Sequence, residues 1–329
     1  MKTRKKTRLI TILTLLSSLA FGSTRNAEGR IYIAYITDTT SSVVYWLAKD
    51  AGLYKKHGLD VETLFIDGSV RGIQSMIAGD LGYSGAVGTA VINATLAGGD
   101  VAIVQSQMNT LPYFIVGNST IKSPEQLKGK TAAVHIPGTS ADFAVRLALA
   151  KVGVAYKDIK AVTVGGAPAR LAATMSGQAD FTVVTEGEKL RSEKAGLKVI
   201  IDMAKLKVPF QFTCIATTRK KIRENPDEVR RMVLAVTEAA HYFKTHKEES
   251  IKVMQKYTRG SSRDILEAAY AANAALLVDD GYPTLEGLKQ TLEIQALTDP
   301  RAAKAKAEDF VELRFVDEIR KSGFVEKLR

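Results

Sequence analysis

Five stretches of this chain combine hydroxyls with glycine or an acid where a β-rich run gives way to a helical one. They are TDTTSS (37–42), DGSV (67–70), SGAVGT (84–89), PGTSAD (137–142) and VTEGE (184–188). A helix start leaves backbone N–H groups without intrahelical partners and carries a partial positive charge. Such turns suit a carboxylate, sulfonate, phosphate or nitrate. Ser, Thr and Asp are also ordinary helix caps, and Thr139 with Asp142 three residues on satisfies that plainer reading. Five turns drawn from both halves of the chain favour a ligand, and at least three are expected to line one cleft. The candidate ligand-binding residues in them are Thr37, Asp38, Thr39, Ser69, Ser84, Gly85, Thr139, Ser140, Thr185 and Glu186. Asn109, at the first crossover between the halves, and Phe210, as an apolar wall, complete the set.

Tyr35, Tyr83 and Phe212 are further candidates for an apolar wall and equally for core. Asp38 and Glu186, if they face the ligand, favour a zwitterion or amine over a bare anion. Arg71 and Arg170 are placed to oppose an anion, with an ion pair along the helix surface as the expected role. Lys55, Lys56 and His57, in GLYKKHGLDVE, are expected in an exposed turn between a helix capped by Gly52 and a strand. No second metal ligand stands at helical spacing from His57, and His241 and His246, five apart, are expected at the surface. Cys214, the single cysteine, lies in FQFTCIAT and reads as a small hydrophobe in a buried strand. No G-x-S-x-G, H-E-x-x-H, P-loop or cysteine pair occurs, so no catalytic residue, metal site or cofactor is expected.

The elements that must position these turns follow from periodicity. Strands are predicted at 31–36, 60–66, 81–85, 101–107, 113–117, 130–136, 159–164, 180–184 and 197–201, and helices between them at 43–51, 69–78, 88–97, 140–151, 167–176 and 186–195. This alternation implies mostly parallel sheets covered by helices. SVRGIQSMIAGDLGYSG (69–85) is echoed by APARLAATMSGQADFTVV (167–184), which suggests one theme used twice. From Arg219 the chain reads as helical, with segments near 227–244, 246–257, 262–278, 285–297 and 308–320. NPDE (225–228) and THKE (245–248) have the spacing of capping boxes.

The first residues, MKTRKKTRLITILTLLSSLAF, have a basic start, a short apolar run and small residues after it, the layout of a secretory signal cleaved between Ala20 and Ala27. The run is too short for a membrane span. The net charge of the whole chain is +11. Removal of residues 1–27 takes away six basic residues and no acid, leaving +5. The remaining charges are interleaved along helices, as in KKIRENPDEVRRM, and no aromatic-basic stripe appears, so no nucleic-acid partner is expected.

VVYWLAKDAGLYKKHGLDVE, MIAGDLGYSG, LAGGDVAIV, SPEQLKGKTAAV, PGTSADFAVRLALAKVGV and MSGQADFTVV follow one another in fixed order over roughly residues 30–220. Together they resemble the nitrate/sulfonate/taurine/thiamine-precursor family of ABC-transporter substrate-binding proteins. The resemblance implies an α/β, two-lobed type II periplasmic-binding-protein fold with a mainly helical C-terminal segment. It places lobe one at 28–109 plus 213–329 and lobe two at 110–212, with hinge strands at 107–112 and 207–213. It also implies a monomer in the periplasm that captures a small organic acid, sulfonate or nitrogen compound and passes it to an ABC permease with its ATPase. The same broad family includes fungal thiamine-pyrimidine synthases, so an enzyme of thiamine or quinone-precursor metabolism is the alternative. Those enzymes carry a cysteine-rich segment and lack an export signal, which favours binding over catalysis here.

Overall fold

The computed structural model describes residues 29–328 except Gly138, Lys207, Leu297 and Thr298. The expected signal segment therefore lies outside the described residues. Ten strands form two five-stranded sheets. The first sheet contains β1 (Ile31–Tyr35), β2 (Val61–Phe65), β3 (Tyr83–Ala86), β4 (Val101–Thr110) and a late strand, Pro209–Thr218. The second contains β5 (Phe114–Gly117), β6 (Thr131–Val134), β7 (Lys160–Thr163), β8 (Phe181–Val184) and β9 (Lys198–Asp202). With Pro209–Thr218 as β10, the orders are β2-β1-β3-β10-β4 and β7-β6-β8-β5-β9.

The two sheets share one plan. In the first, β1 pairs parallel to β2 and β3; in the second, β6 pairs parallel to β7 and β8. In each, a strand that arrives from the other half of the chain is inserted antiparallel: β10 between β3 and β4, β5 between β8 and β9. The chain thus passes between the sheets twice, after β4 and before β10. The β4–β10 pairing is irregular where it nears the second sheet, with register shifts between Pro209 and Thr213 and again before Cys214. Such bulges bend a strand and re-aim its side chains, here Phe212 and Thr213.

Helices cover both sheets: α1 (Val43–Asp50), α2 (Leu53–Lys56), α3 (Ser69–Ala78), α4 (Gly88–Leu96), α5 (Ser140–Lys151), α6 (Ala167–Met175) and α7 (Glu186–Lys194), all but α2 in the predicted places. Along α3 the buried residues are Ser69, Gly72, Ile73 and Met76, one stripe at helical spacing. Gly72 is required by packing. A methyl group there would collide with the Ser84 hydroxyl, so α3 lies directly on β3. The core beneath α1 is aromatic, with Trp46 and Tyr54 fully buried. Cys214 is buried in β10, its thiol donating to the Ala86 carbonyl at 3.3 Å, and burial pushes its pKa up.

After β10 come α8 (Arg219–Glu224), α9 (Pro226–Thr245), α10 (Lys247–Tyr257), α11 (Arg263–Leu276), α12 (Leu285–Gln295) and α13 (Arg314–Lys321). Neither expected capping box forms. Asn225 makes no side-chain cap bond, and Glu228, which would reach back to it, is drawn inward to the Tyr83 hydroxyl at 2.9 Å and to Lys221 at 2.7 Å. The Thr245 hydroxyl donates back to the His241 carbonyl at 3.0 Å and so belongs to α9 rather than to the start of α10. The single helix expected at 308–320 is a short turn at 307–310 followed by α13. Val311 intervenes by bridging to Ile103 of β4.

The basic turn also departs from expectation. Leu53–Lys56 is a helical turn, and the His57 ring is largely buried with Nε2 2.8 Å from Glu238 of α9, which Lys56 also pairs. His241 is buried too, 2.9 Å from the Asp279 carbonyl. His57 ties the helical segment to α2, and His241 ties α9 to the chain after α11 within that segment, tertiary roles that local sequence does not reveal. Contact between the halves is not confined to the crossovers. α7 packs on α11, with Lys194 and Asp264 at 2.5 Å and Gly187 against Ile265.

Candidate functional site

Strand ends from both sheets converge on one cavity of about 60 Å³. The segments after β1, β2 and β3 contribute Thr37, Thr39 and Ser41, then Asp67, Gly68 and Ser69, then Val87. Those after β6, β7 and β8 contribute His135, Thr139 and Ser140, then Gly166, Ala167 and Arg170, then Thr185. Tyr113 and the bulged strand residues Phe212 and Thr213 close the side where the chain crosses between sheets. Because β1–β3 and β6–β8 are parallel sets, each presents its carboxyl ends to the gap. Four helix starts, those of α3, α5, α6 and α7, stand around it.

Of the twelve sequence candidates, six line this cavity: Thr37, Thr39, Ser69, Thr139, Ser140 and Thr185. The Thr37 hydroxyl donates to that of Thr39 at 3.1 Å. Thr139 caps α5 by accepting from the Asp142 amide at 3.5 Å, and its hydroxyl donates to the Ile136 carbonyl at 2.9 Å. Ser140 lies 2.8 Å from the Tyr113 hydroxyl, and the Thr185 hydroxyl donates to Glu188.

The other six are placed elsewhere. Ser84 and Gly85, which the sequence offered both as the end of a strand and as the start of a turn, belong to β3, which runs to Ala86. Ser84 is fully buried with its hydroxyl on the Gly85 carbonyl, and Gly85 packs on Tyr45. Asn109 is used structurally, accepting from Ser106 at 2.7 Å and donating to the Tyr282 carbonyl at 2.9 Å. Phe210 is buried in a stack on Phe143, centroids 4.8 Å apart. Glu186 pairs with Lys189 one turn on, at 2.6 Å. Asp38 faces a second, outer compartment that shares Thr39 with the first.

Three features of the cavity add to or depart from the sequence reading. Asp67 and His135 meet across the gap, one from each sheet, at 3.3 Å. The Ile136 amide donates to His135 Nδ1 at 2.8 Å, so Nδ1 is an acceptor and Nε2 carries the proton given to Asp67. Gly68, with φ +88°, makes room for this meeting: a Cβ there would sit 2.9 Å from His135 Cε1. The hydrogen bond from His135 holds the Asp67 carboxyl below its ordinary pKa, and Arg71 and Arg170 add to the effect. The available signal was Asp67 itself, inside the DGSV turn.

The second feature is Arg170. The expected surface ion pair is absent, for the side chain is 3% exposed and makes no ion pair with any described residue. It is the fourth residue of α6 and turns toward the sheet, donating to the Gly165 carbonyl at 2.7 Å and the Val183 carbonyl at 3.3 Å. Its Nε is buried without a partner. Burial lowers its pKa, while Tyr113, Glu188 and Asp67 act through space to restore it. Arg71 does form the expected surface pair, with Asp67 at 3.9 Å. The third feature is the Thr213 hydroxyl, buried at the cavity wall without a partner. Buried polar groups are normally satisfied, and an unpaired buried cation is costly. The cavity therefore concentrates unmet hydrogen-bonding capacity.

Two α/β lobes, two crossovers and a cavity between the carboxyl ends of their strands define a type II periplasmic-binding-protein fold. The chain belongs to the NMT1/THI5-like family, whose model matches residues 39–250. A protein of Brucella abortus, provisionally named a binding protein, is 27% identical over 276 residues, covering 79% of this chain and 80% of its own. The periplasmic aliphatic sulphonate binding protein of Escherichia coli shares the fold with a TM-score of 0.71 at 19% identity, over 86% of this chain and 97% of its own. The periplasmic nitrate-binding protein of Synechocystis shares it with a TM-score of 0.72 at 16% identity, over 89% and 88%.

Proposed function

We propose that this chain is the solute-capturing component of an ABC importer. It works outside the cytoplasm after loss of its N-terminal signal, and it is a binding protein rather than an enzyme. The two lobes, 28–109 with 213–329 and 110–212, close over a small ligand and deliver it to a permease with its ATPase. The ligand is a small organic acid, sulfonate or nitrogen compound that carries an anionic group. Thr37, Thr39, Ser69, Thr139, Ser140 and Thr185 contact it, with Arg170 as the charged partner. The bulged β4–β10 pair serves as the hinge, a few element-end residues absorbing the motion.

One observation carries this reading. A buried arginine that makes no ion pair among the described residues stands at a cavity ringed by hydroxyls and helix starts from both sheets. An anion there supplies a counter-charge to a buried guanidinium, where screening by water is weakest. The family and the printed names of the relatives point the same way. The test is mass spectrometry of small molecules released from natively purified protein, followed by a thermal-shift screen. A ligand that binds only the folded state raises the melting temperature by mass action. A shift with a small anion in the wild type that is lost in Arg170→Met supports the reading. Absence of any shift across organic acids, sulfonates and nitrate rejects it.

A further inference from the structure

The arginine cavity is not the whole of the space between the lobes. A second compartment of about 520 Å³ meets it at Thr39, and its walls also come from both lobes. The first lobe gives Tyr35, Asp38 and Phe65; the second gives Pro168, Glu188 and Arg191; the helical segment adds Tyr257, Arg259 and Ile265. Residues next to the arginine cavity continue into it, as Ala167 does to Pro168 and Thr185 to Gly187 and Glu188.

Its charged groups balance: Asp38 and Glu188 against Arg191 and Arg259. There is no net charge to recruit a second ionic group. What stands out is a run of rings. Tyr257 stacks on Trp46 at 4.8 Å, Trp46 meets the edge of Tyr35 at 5.7 Å, and Tyr35 lies 5.5 Å from Phe65. Trp46 is buried and anchors the run, while Phe65, its last member, is 48% exposed. A single exposed hydrophobe is ordinary on a protein surface. Phe65 differs because it ends a supported stack, inside a recess, with Pro168 contributed by the opposite lobe.

We infer that the cleft takes a two-part ligand: an anionic head at Arg170 and a flat, uncharged aromatic body lying against Phe65 and Tyr35. This rests on the cleft reading above and narrows it to aromatic acids. Aromatic rings prefer to meet other rings offset or edge-on, which gives an aromatic body an advantage over a saturated one of similar size.

The experiment is calorimetry of the purified chain with acetate, cyclohexanecarboxylate and benzoate, repeated on Phe65→Leu. Phe65 is at the recess wall and half exposed, so the substitution leaves the fold intact; circular dichroism and the melting temperature check this. Benzoate is expected to bind roughly tenfold more tightly than acetate. It is also expected to bind about threefold more tightly than cyclohexanecarboxylate. Phe65→Leu should remove the second advantage and leave acetate binding unchanged. Acetate binding without a gain for benzoate, or a benzoate preference that survives Phe65→Leu, overturns the aromatic inference alone. No binding by any of the three acids overturns it together with the organic-acid form of the cleft reading.

Discussion

Helices α3 and α6 occupy the same place in the two sheets, each following an outer strand and leading to the strand beside the inserted one. Each carries an arginine in its first turn, and the two arginines have opposite fates. Arg71 is the third residue of α3, and its side chain is 59% exposed beside Asp67. Arg170 is the fourth residue of α6 and is 3% exposed. One residue is about 100° around a helix, so the fourth position faces the sheet where the third faces water. At that fourth position α3 has Gly72, pressed on Ser84, while α6 has a guanidinium held by the Val183 and Gly165 carbonyls. One lobe uses the position for close packing, and the other uses it to carry a charge to the cavity.

The largest effect expected from breaking this asymmetry is on binding. Arg170→Met should weaken capture of an anionic ligand by roughly two orders of magnitude, the scale for losing a buried charged partner, as read by calorimetry. Gly72→Ala should act on folding instead, costing about 2 kcal/mol by overpacking, as read by urea denaturation. Its effect on affinity should be small in whatever fraction remains folded.

The pair that joins the lobes offers a subtler handle. Asp67 has a depressed pKa in the folded state, so its contribution is present above the unfolded value of about 3.9. It is lost as the pH falls through the lower folded value. Asp67→Asn should flatten the acid limb of a plot of melting temperature against pH in that window, while an unchanged limb would mean that the contact with His135 adds nothing to closure. Arg71→Met should have the smallest effect, under about twofold on affinity and near zero on stability, as expected of an exposed pair. A large loss there would erase the contrast between the two helices.

Much of the fold was legible because it rests on local periodicity. The nine strands expected before residue 202 occur within a few residues of their predicted places, and α3 and α5 have the predicted limits. Legibility falls where distant partners compete for a side chain. Glu228 left its capping box for Tyr83, Val311 interrupted a helix to bridge Ile103, and His57 and His241 were drawn out of expected surface positions. The same divide runs through the site. Turn chemistry marked Thr37, Thr39, Ser69, Thr139, Ser140 and Thr185, all of which border the cavity. It also marked Ser84 and Gly85, which β3 carries into the core.

The sequence by itself determined the alternation of strand and helix, the hydroxyl-rich helix starts and the repeated theme, since each depends on residues near one another in the chain. Only the tertiary structure decided which arginine is buried, that Asp67 and His135 meet from separate sheets, and that a ring stack ends in a recess between the lobes. These depend on helix rotation against a sheet and on the approach of two lobes, distances that no local pattern encodes.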